Sequence, residues 1–501
     1  MSDKQGSGGL ASGSFWAVLD NLAQQGLSFI IFAILARLLN PAEFGLLTIA
    51  HLFILFARLV VLDALAMPVI RARDPGDTDY AALFWRCTAA GSLLCAAMFF
   101  AAPMVAGLFQ APSLAPVLQG MSLSILFFGM VRSYEARLVR QMKFRQLAIR
   151  SSVSVMSGGV LGIALAYQGW GAMSLVVQQV VASGLALLLV VLQSGWLPRL
   201  AWAARPVRYW RDVRQVSVSG LLSFANSNGD SLLVSIFLGP YATGLYNLAK
   251  RLTSAVYLVI TASLLRVSLP VFASAHGKLD QLRHAYLQLL AMMLFLMLPM
   301  LLFQAALAEP LTSTVFGAKW LPACSTIAAL ALLYCLSSVS ELNNYVLFAV
   351  GQSRWPPLLG MLQLALAVVL AACFSQHGLL AMSLSFAGAY VLMLPWSQRL
   401  ANQAMALPLK SLLAALQPVL AGAALLLLVL LALARLWQGP ALWLLVLALP
   451  AGAAAYLAPV IVLGRAARGT SAGVFEPLSM LKNLRSLKNR GTTTDREKET
   501  P

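Results

Sequence analysis

The chain has 501 residues, 60% of them hydrophobic and only 10% charged, with a mean hydropathy of +0.81. A soluble domain carries roughly 25% charged residues, so a water-soluble globular enzyme is excluded. The net charge of +18 calls for no nucleic acid, because basic cytoplasmic loops and attraction to anionic membrane lipids account for it.

In chain order, apolar spans fall at about 14–36, 44–62, 81–102, 114–131, 148–167, 172–192, 216–238, 244–265, 286–306, 321–350, 356–374, 379–398, 411–434 and 441–463. No Lys, Arg, Asp or Glu lies between Arg86 and Arg132, between Arg150 and Arg199, or between Arg354 and Arg399. Each gap is about twice the ~20 residues that cross the hydrocarbon core, so each holds a helical hairpin with a small, uncharged far turn. Lipid offers backbone groups no partners, and the period-two pattern of barrel strands is absent, so only helices fit. The expectation is an all-α membrane protein of about fourteen transmembrane helices.

With the N-terminus in the cytoplasm, Arg37, Lys319 and Arg435 are the bases that fall in outward loops, and the bulk of the 35 Lys and Arg face inward. The positive-inside rule therefore puts both termini in the cytoplasm of a bacterial inner (plasma) membrane protein. The first nine residues are polar and no cleavage site follows an early apolar core, so no removable signal peptide is expected. Cys87, Cys95, Cys324, Cys335 and Cys373 all lie within spans; buried free thiols are expected there, with no disulfide and no metal site. In the tail, Leu478, Leu481, Leu484 and Leu487 recur between basic residues, which suggests a short helix on the inner membrane surface.

An internal repeat organises the spans. LLNPAEFGLLTIA (38–50) follows the first span and FLGPYATGLYNLA (237–249) the seventh. Pro41 matches Pro240, Gly45 matches Gly244, Leu46 matches Leu245 and Ala50 matches Ala249, at one constant offset. AMSL at 172–175 recurs at 381–384, at the start of the sixth and twelfth spans. The matches pair six spans with six in the same order and orientation, giving two parallel-repeat six-helix bundles. The expected organisation is a cytoplasmic N-terminal segment (1–13), a first bundle (14–192), a basic cytoplasmic linker (193–215), a second bundle (216–398), two extra C-terminal helices (411–463) and a basic cytoplasmic tail (464–501). Transporters built this way hold substrate between their halves.

Ionisable residues inside spans cost at least ~2.5 kcal/mol on insertion scales, so they mark cavities or pathways. The second span carries His51 and Arg58, seven apart and on one face. The eighth carries Lys250 and Tyr257 at the repeat-equivalent positions, with Arg251 beside them. A diphosphate needs such groups, since Arg offers a planar fork and Lys a compact charge. Lys250 and Arg251 either line a cavity or snorkel to the outer boundary, and Arg86, near the inner end of the third span, fits snorkelling better. Three acids also lie in spans: Asp20, Asp230 and Glu341. Each either couples a proton or Na⁺ to transport or serves as a structural partner for a buried base.

The stretches ARLLNPAEFGLLTIA (36–50), LFW (83–85), MKFRQLAIRS (142–151), QGWGAMSLVVQQ (168–179) and VFGAKWLPA (315–323) carry a family likeness. Through them the chain resembles the polysaccharide transporter (Wzx-type lipid-linked oligosaccharide flippase) family of the multidrug/oligosaccharidyl-lipid/polysaccharide exporter superfamily. The resemblance implies a V-shaped pair of six-helix bundles that exports undecaprenyl-diphosphate-linked repeat units for exopolysaccharide, capsule or O-antigen, with a polysaccharide polymerase as a partner. It also implies cavity cations on helices one, two and eight, which here points to Arg58 and to Lys250 or Arg251. The first span departs from that pattern, having Asp20, Asn21, Gln24 and Gln25 instead of a base.

Two other functions are compatible with a polytopic membrane chain. A membrane enzyme acting on the outer face would need polar catalytic groups there, and the longest outer loop, about 307–320, offers only Glu309 and Lys319. No phosphate-binding G-x-x-x-x-G-K-[ST] loop occurs, so neither catalysis nor a cofactor is expected. The alternative is a drug/ion antiporter of the same superfamily, whose cavity for cationic amphiphiles would be acidic or apolar; the bases within spans argue against it.

Overall fold

The computed structural model describes residues 26–72, 75–200, 207–274 and 278–466; the N-terminal segment with Asp20, and the basic tail from 467 onward with its leucine repeat, lie outside them. All regular structure among the described residues is helical. Among the described residues, eleven helices are long and apolar enough to cross a membrane. Two of these, Tyr209–Ala273 with 65 residues and Trp355–Met405 with 51, would run about 98 and 76 Å as straight rods, against a ~30 Å core. Both are interrupted. The first breaks at Gly239, with φ 73° and ψ −173°, a conformation that only glycine adopts cheaply. The second breaks at the 3₁₀ turn Ser375–His377, followed by Gly378 at φ 89°.

The helices in chain order are α1 (Gly26–Leu38), α2 (Pro41–Arg71), α3 (Asp77–Leu108), α4 (Leu114–Arg140), α5 (Phe144–Tyr167), α6 (Ala172–Ser194), α7 (207–238), α8 (240–274), α9 (Leu279–Ala306), α10 (Ala308–Val315), α11 (Cys324–Ala349), α12 (Trp355–Phe374), α13 (Gly378–Met405), α14 (Leu409–Leu436) and α15 (Ala441–Ala466). Three features differ from the sequence reading. The seventh and eighth spans form one helical run with almost no loop between them, because Pro240 stands at the first position of α8, where its missing N–H costs nothing. The outer loop at 307–320 is itself folded into α10 and the 3₁₀ turn Ala318–Ala323. The second span runs on to Arg71, through a π-helical stretch at Ala57–Leu62.

Large apolar side chains such as Phe100, Met104 and Leu428 are exposed on these helices. In water such faces would be costly; in a bilayer they meet lipid.

The chain divides into two compact units, residues 1–248 with 315–320, and residues 249–314 with 321–501. In the first unit, the α1–α2 turn is tied down from both sides. The Asn40 backbone N–H donates to Glu43 Oε2 at 2.7 Å, capping α2 from within its own first turn. Segment 315–320 clasps the same turn: Trp320 Nε1 donates to the Ala36 carbonyl at 2.7 Å and Lys319 Nζ to that of Arg37 at 2.8 Å. Arg37 Nε returns a bond to the Val315 carbonyl at 2.8 Å. Phe316 and Trp320 are fully buried, packed edge-on against Phe32 and Phe44. Two separated stretches of the family likeness, 36–50 and 315–323, thus meet as one structural clasp.

In the second unit a core built on Leu290, Met297, Val346, Met405 and Leu426 joins α9, α11, α13 and α14. Within it lies a closed polar network. Tyr286 donates to Asn343 Oδ1 at 2.7 Å, Asn343 Nδ2 to Ser397 Oγ at 3.1 Å, and Gln398 Nε2 to Asn402 Oδ1 at 2.9 Å. With little apolar driving force between helices in lipid, such bonds and close packing hold the bundle together.

Candidate functional site

The site grows from the π-helical stretch of α2. The Asp63 N–H bonds to the Arg58 carbonyl, five residues back. In a regular α-helix residues five apart point about 140° away from each other. The wider π turn instead stacks Arg58 and Asp63 on one face, and that face meets α4. Such local widenings of a helix recur at functional sites.

Three more charges gather there. The Arg58 guanidinium lies 5.9 Å from the Phe128 ring centroid on α4, a cation–π distance. One turn further along α4, Arg132 pairs with Asp63 through Nη2 and with Glu135 through Nη1, the latter at 2.5 Å. Arg150 of α5 reaches the other oxygen of Glu135 at 2.7 Å. Arg58 stands within electrostatic range of Glu135 as well. Three guanidinium groups from three helices therefore surround one carboxylate, with Asp63 as second counter-charge. Arg58 is the exposed member, and Arg150 is only 9% exposed. The Nε atoms of Arg132 and Arg150 and Nη1 of Arg150 are buried with no acceptor, so the cluster holds more donors than its two acids satisfy.

The remaining residues singled out from the sequence fall as follows. His51, seven residues before Arg58 on α2, is half-buried. Arg86 is buried, with its guanidinium 5.5 Å from the Tyr209 ring centroid. Asp230 on α7 accepts from the Tyr246 hydroxyl at 2.7 Å and from the Ser231 N–H at 2.7 Å. In the second unit Lys250 and Arg251 are half-buried. Tyr257 is within hydrogen-bonding reach of Glu341 and packs on Tyr334 at 5.0 Å between ring centroids. Among the described residues no group of three or more His, Cys, Asp or Glu is arranged to hold a metal ion.

Within the first unit the two repeat-matched segments touch reciprocally. A Cβ on Gly45 would fall on the Pro240 carbonyl, and a Cβ on Gly244 on that of Pro41. Asn247 Nδ2 donates to Thr48 Oγ1 at 2.9 Å. Asn247 and Thr48 are 199 apart, and the same offset turns the Gly45–Pro240 contact into the Gly244–Pro41 contact, so the first turns of α2 and α8 meet as like meets like.

Sequence reasoning missed Asp63, Arg132, Glu135 and Arg150, which it left at the inner ends of spans. One signal was present: Arg132 and Glu135 are three apart on a single helix, a spacing that pairs opposite charges. The π turn that brings Asp63 to them has no pattern in the sequence.

Comparison with known proteins extends these observations. The family described as polysaccharide biosynthesis protein matches residues 34–325. The chain is 25% identical over 348 residues to the teichuronic acid biosynthesis protein TuaB of Bacillus subtilis, covering 69% of this chain and 72% of TuaB. It is 27% identical over 320 residues to the succinoglycan biosynthesis transport protein ExoT of Rhizobium meliloti, covering 63% and 64% of the two chains. Among solved structures, the lipid II flippase MurJ in an inward closed conformation superposes with a TM-score of 0.69 at 13% identity, over 89% of this chain and 99% of MurJ. That likeness establishes the fold, and the apolar helices make the chain a multi-pass membrane protein. The family match spans more than half of the sequence, and the chain belongs to the family of polysaccharide biosynthesis proteins.

Proposed function

We propose that the protein is a flippase that moves undecaprenyl-diphosphate-linked oligosaccharide repeat units from the cytoplasmic to the periplasmic leaflet for exopolysaccharide, capsule or O-antigen assembly. The observation that carries this reading is Arg58, an exposed cation held on a π turn in the middle of an apolar helix. A diphosphate cannot cross hydrocarbon without compensating charge. The names of TuaB, ExoT and MurJ, all tied to polysaccharide assembly or lipid-linked transport, support the same reading.

Under this reading fourteen crossings leave both termini in the cytoplasm, as two six-helix bundles (14–192 and 216–398) followed by the extra pair at 411–463. Arg58, His51 and Lys250 or Arg251 serve as cations for the diphosphate, and the polyprenyl tail stays in lipid. Asp20, Asp230 or Glu341 couples an ion gradient, and a polysaccharide polymerase receives the delivered unit. Binding must not be so tight that release fails.

The test is polymer export in cells that depend on this protein. Arg58→Ala should abolish export while the protein still reaches the membrane at normal levels. Arg58→Lys should restore export only in part, because the charge remains and the fork is lost. Normal export by Arg58→Ala would overturn the reading.

A further inference from the structure

The charge cluster at α2 does more than surround Arg58. Glu135 is the one acid in it that two arginines bond directly, at 2.5 and 2.7 Å, while a third, Arg58, lies within electrostatic range. A carboxylate gripped by several guanidinium groups presents them with what a phosphate oxygen pair would present: two charged acceptors at bidentate spacing. The cluster also has spare capacity, since Nε of Arg132 and both Nε and Nη1 of Arg150 are buried with no acceptor. A buried guanidinium donor without an acceptor forfeits its hydration and gains nothing in exchange. It marks a place where a further anionic ligand would find donors already in position.

We propose that Asp63, Arg132, Glu135 and Arg150, with Arg58, form a phosphate-binding site in which Glu135 is the built-in competitor. With no phosphate present, Glu135 neutralises the arginines and keeps them ordered. An arriving phosphate group takes Arg58 and the spare donors of Arg132 and Arg150, and Glu135 limits how tightly it is held. Glu135 is thus a positioning residue whose charge weakens binding, the opposite of what a purely structural ion pair would do. This rests on the reading of Arg58 as a substrate cation and adds to it the control of affinity. The phosphate belongs either to the lipid-linked diphosphate or to the headgroup of an anionic lipid.

The experiment uses the purified full chain in nanodiscs of neutral phosphatidylcholine, titrated with inorganic pyrophosphate by calorimetry. Arg150→Ala and Arg58→Ala should each weaken binding by about tenfold or more. Glu135→Gln should tighten it by about tenfold, and Glu135→Asp, which keeps the charge, should bind as the unaltered protein does and report that the site still folds. Unchanged or weaker binding by Glu135→Gln, in protein whose thermal unfolding matches that of Glu135→Asp, would overturn the proposal. The titration is repeated in discs containing phosphatidylglycerol. Weaker pyrophosphate binding there, absent in Arg150→Ala, supports the site and identifies a lipid headgroup as its occupant. Unchanged binding supports it with the lipid-linked diphosphate as occupant. If Arg58→Ala exports polymer normally while Glu135→Gln still binds more tightly, the transport role of Arg58 fails and the phosphate site stands.

Discussion

Helices α2 and α8 begin alike and then part company. Their first turns share Pro41 with Pro240, Gly45 with Gly244 and Ala50 with Ala249, and in the first unit these turns lie against each other in reciprocal contact. Two turns further along, the same offset pairs Arg58 with Tyr257. Around Arg58 the first unit gathers Arg132, Arg150, Asp63 and Glu135. Around Tyr257 the second unit supplies Tyr334 and Glu341. The alike part is backbone meeting backbone, where only the absence of a side chain serves. The unlike part is chemistry, where a cation and a phenol do different work.

Breaking the alike part should have the largest effect. Gly45→Val or Gly244→Val would drive a branched side chain into the carbonyl of Pro240 or Pro41, and those carbonyls belong to helix first turns that cannot yield cheaply. Neither variant should export polymer, and both should lose most folded protein from the membrane, read by immunoblot and by heating in detergent. A Gly45→Val protein that accumulates and exports normally would show that the first turns need not touch.

Exchanging the unlike part sharpens the comparison at a smaller cost. Arg58→Tyr should reduce export by one to two orders of magnitude, roughly what losing a charged hydrogen bond of ~1.5–3 kcal/mol implies. Adding Tyr257→Arg to it should not restore export, because Tyr257 has a ring and one acid beside it, Tyr334 and Glu341, whereas Arg58 stands in a cluster with Arg132, Arg150, Glu135 and Asp63. Restoration by the double variant would mean that the two positions are interchangeable and that their surroundings do not matter.

The sequence made the scaffold legible for a physical reason. Apolar length, Pro and Gly placement and the bias of Lys and Arg are local quantities, and each constrains a helix on its own. Arg58 was legible too, because a base in the middle of an apolar run stands out. The cluster around it was not. Arg132, Glu135 and Arg150 read as ordinary boundary charges until α4 and α5 are placed beside α2. Asp63 joins them only through an inserted π residue, and one extra residue in a helix leaves the pattern of apolar positions nearly unchanged. The clasp between 315–320 and the α1–α2 turn was hidden likewise, since nearly three hundred residues separate its halves.

The smallest effect comes from a comparison within α4 itself. Its Arg132 pairs with Asp63 of α2, and its Arg137 pairs with Asp77 of α3 at 3.3 Å. The chemistry is the same and the burial is not. Asp63 and Arg132 each keep 20% of their side-chain exposure, whereas Asp77 keeps 69%. At Asp77 water and salt screen the attraction, and the side chain loses freedom in making the pair. Asp77→Asn should therefore shift stability by less than about 1 kcal/mol and leave export unchanged. Asp63→Asn takes from the half-buried Arg132 one of its two carboxylate partners, leaving Glu135, and should cost about 1.5–3 kcal/mol. Thermal unfolding of the two variants side by side in detergent measures the difference. Equal shifts would mean that water reaches Asp63 as freely as Asp77, and the α2 cluster would then be too wet for its charges to bind an anion more strongly than solvent does.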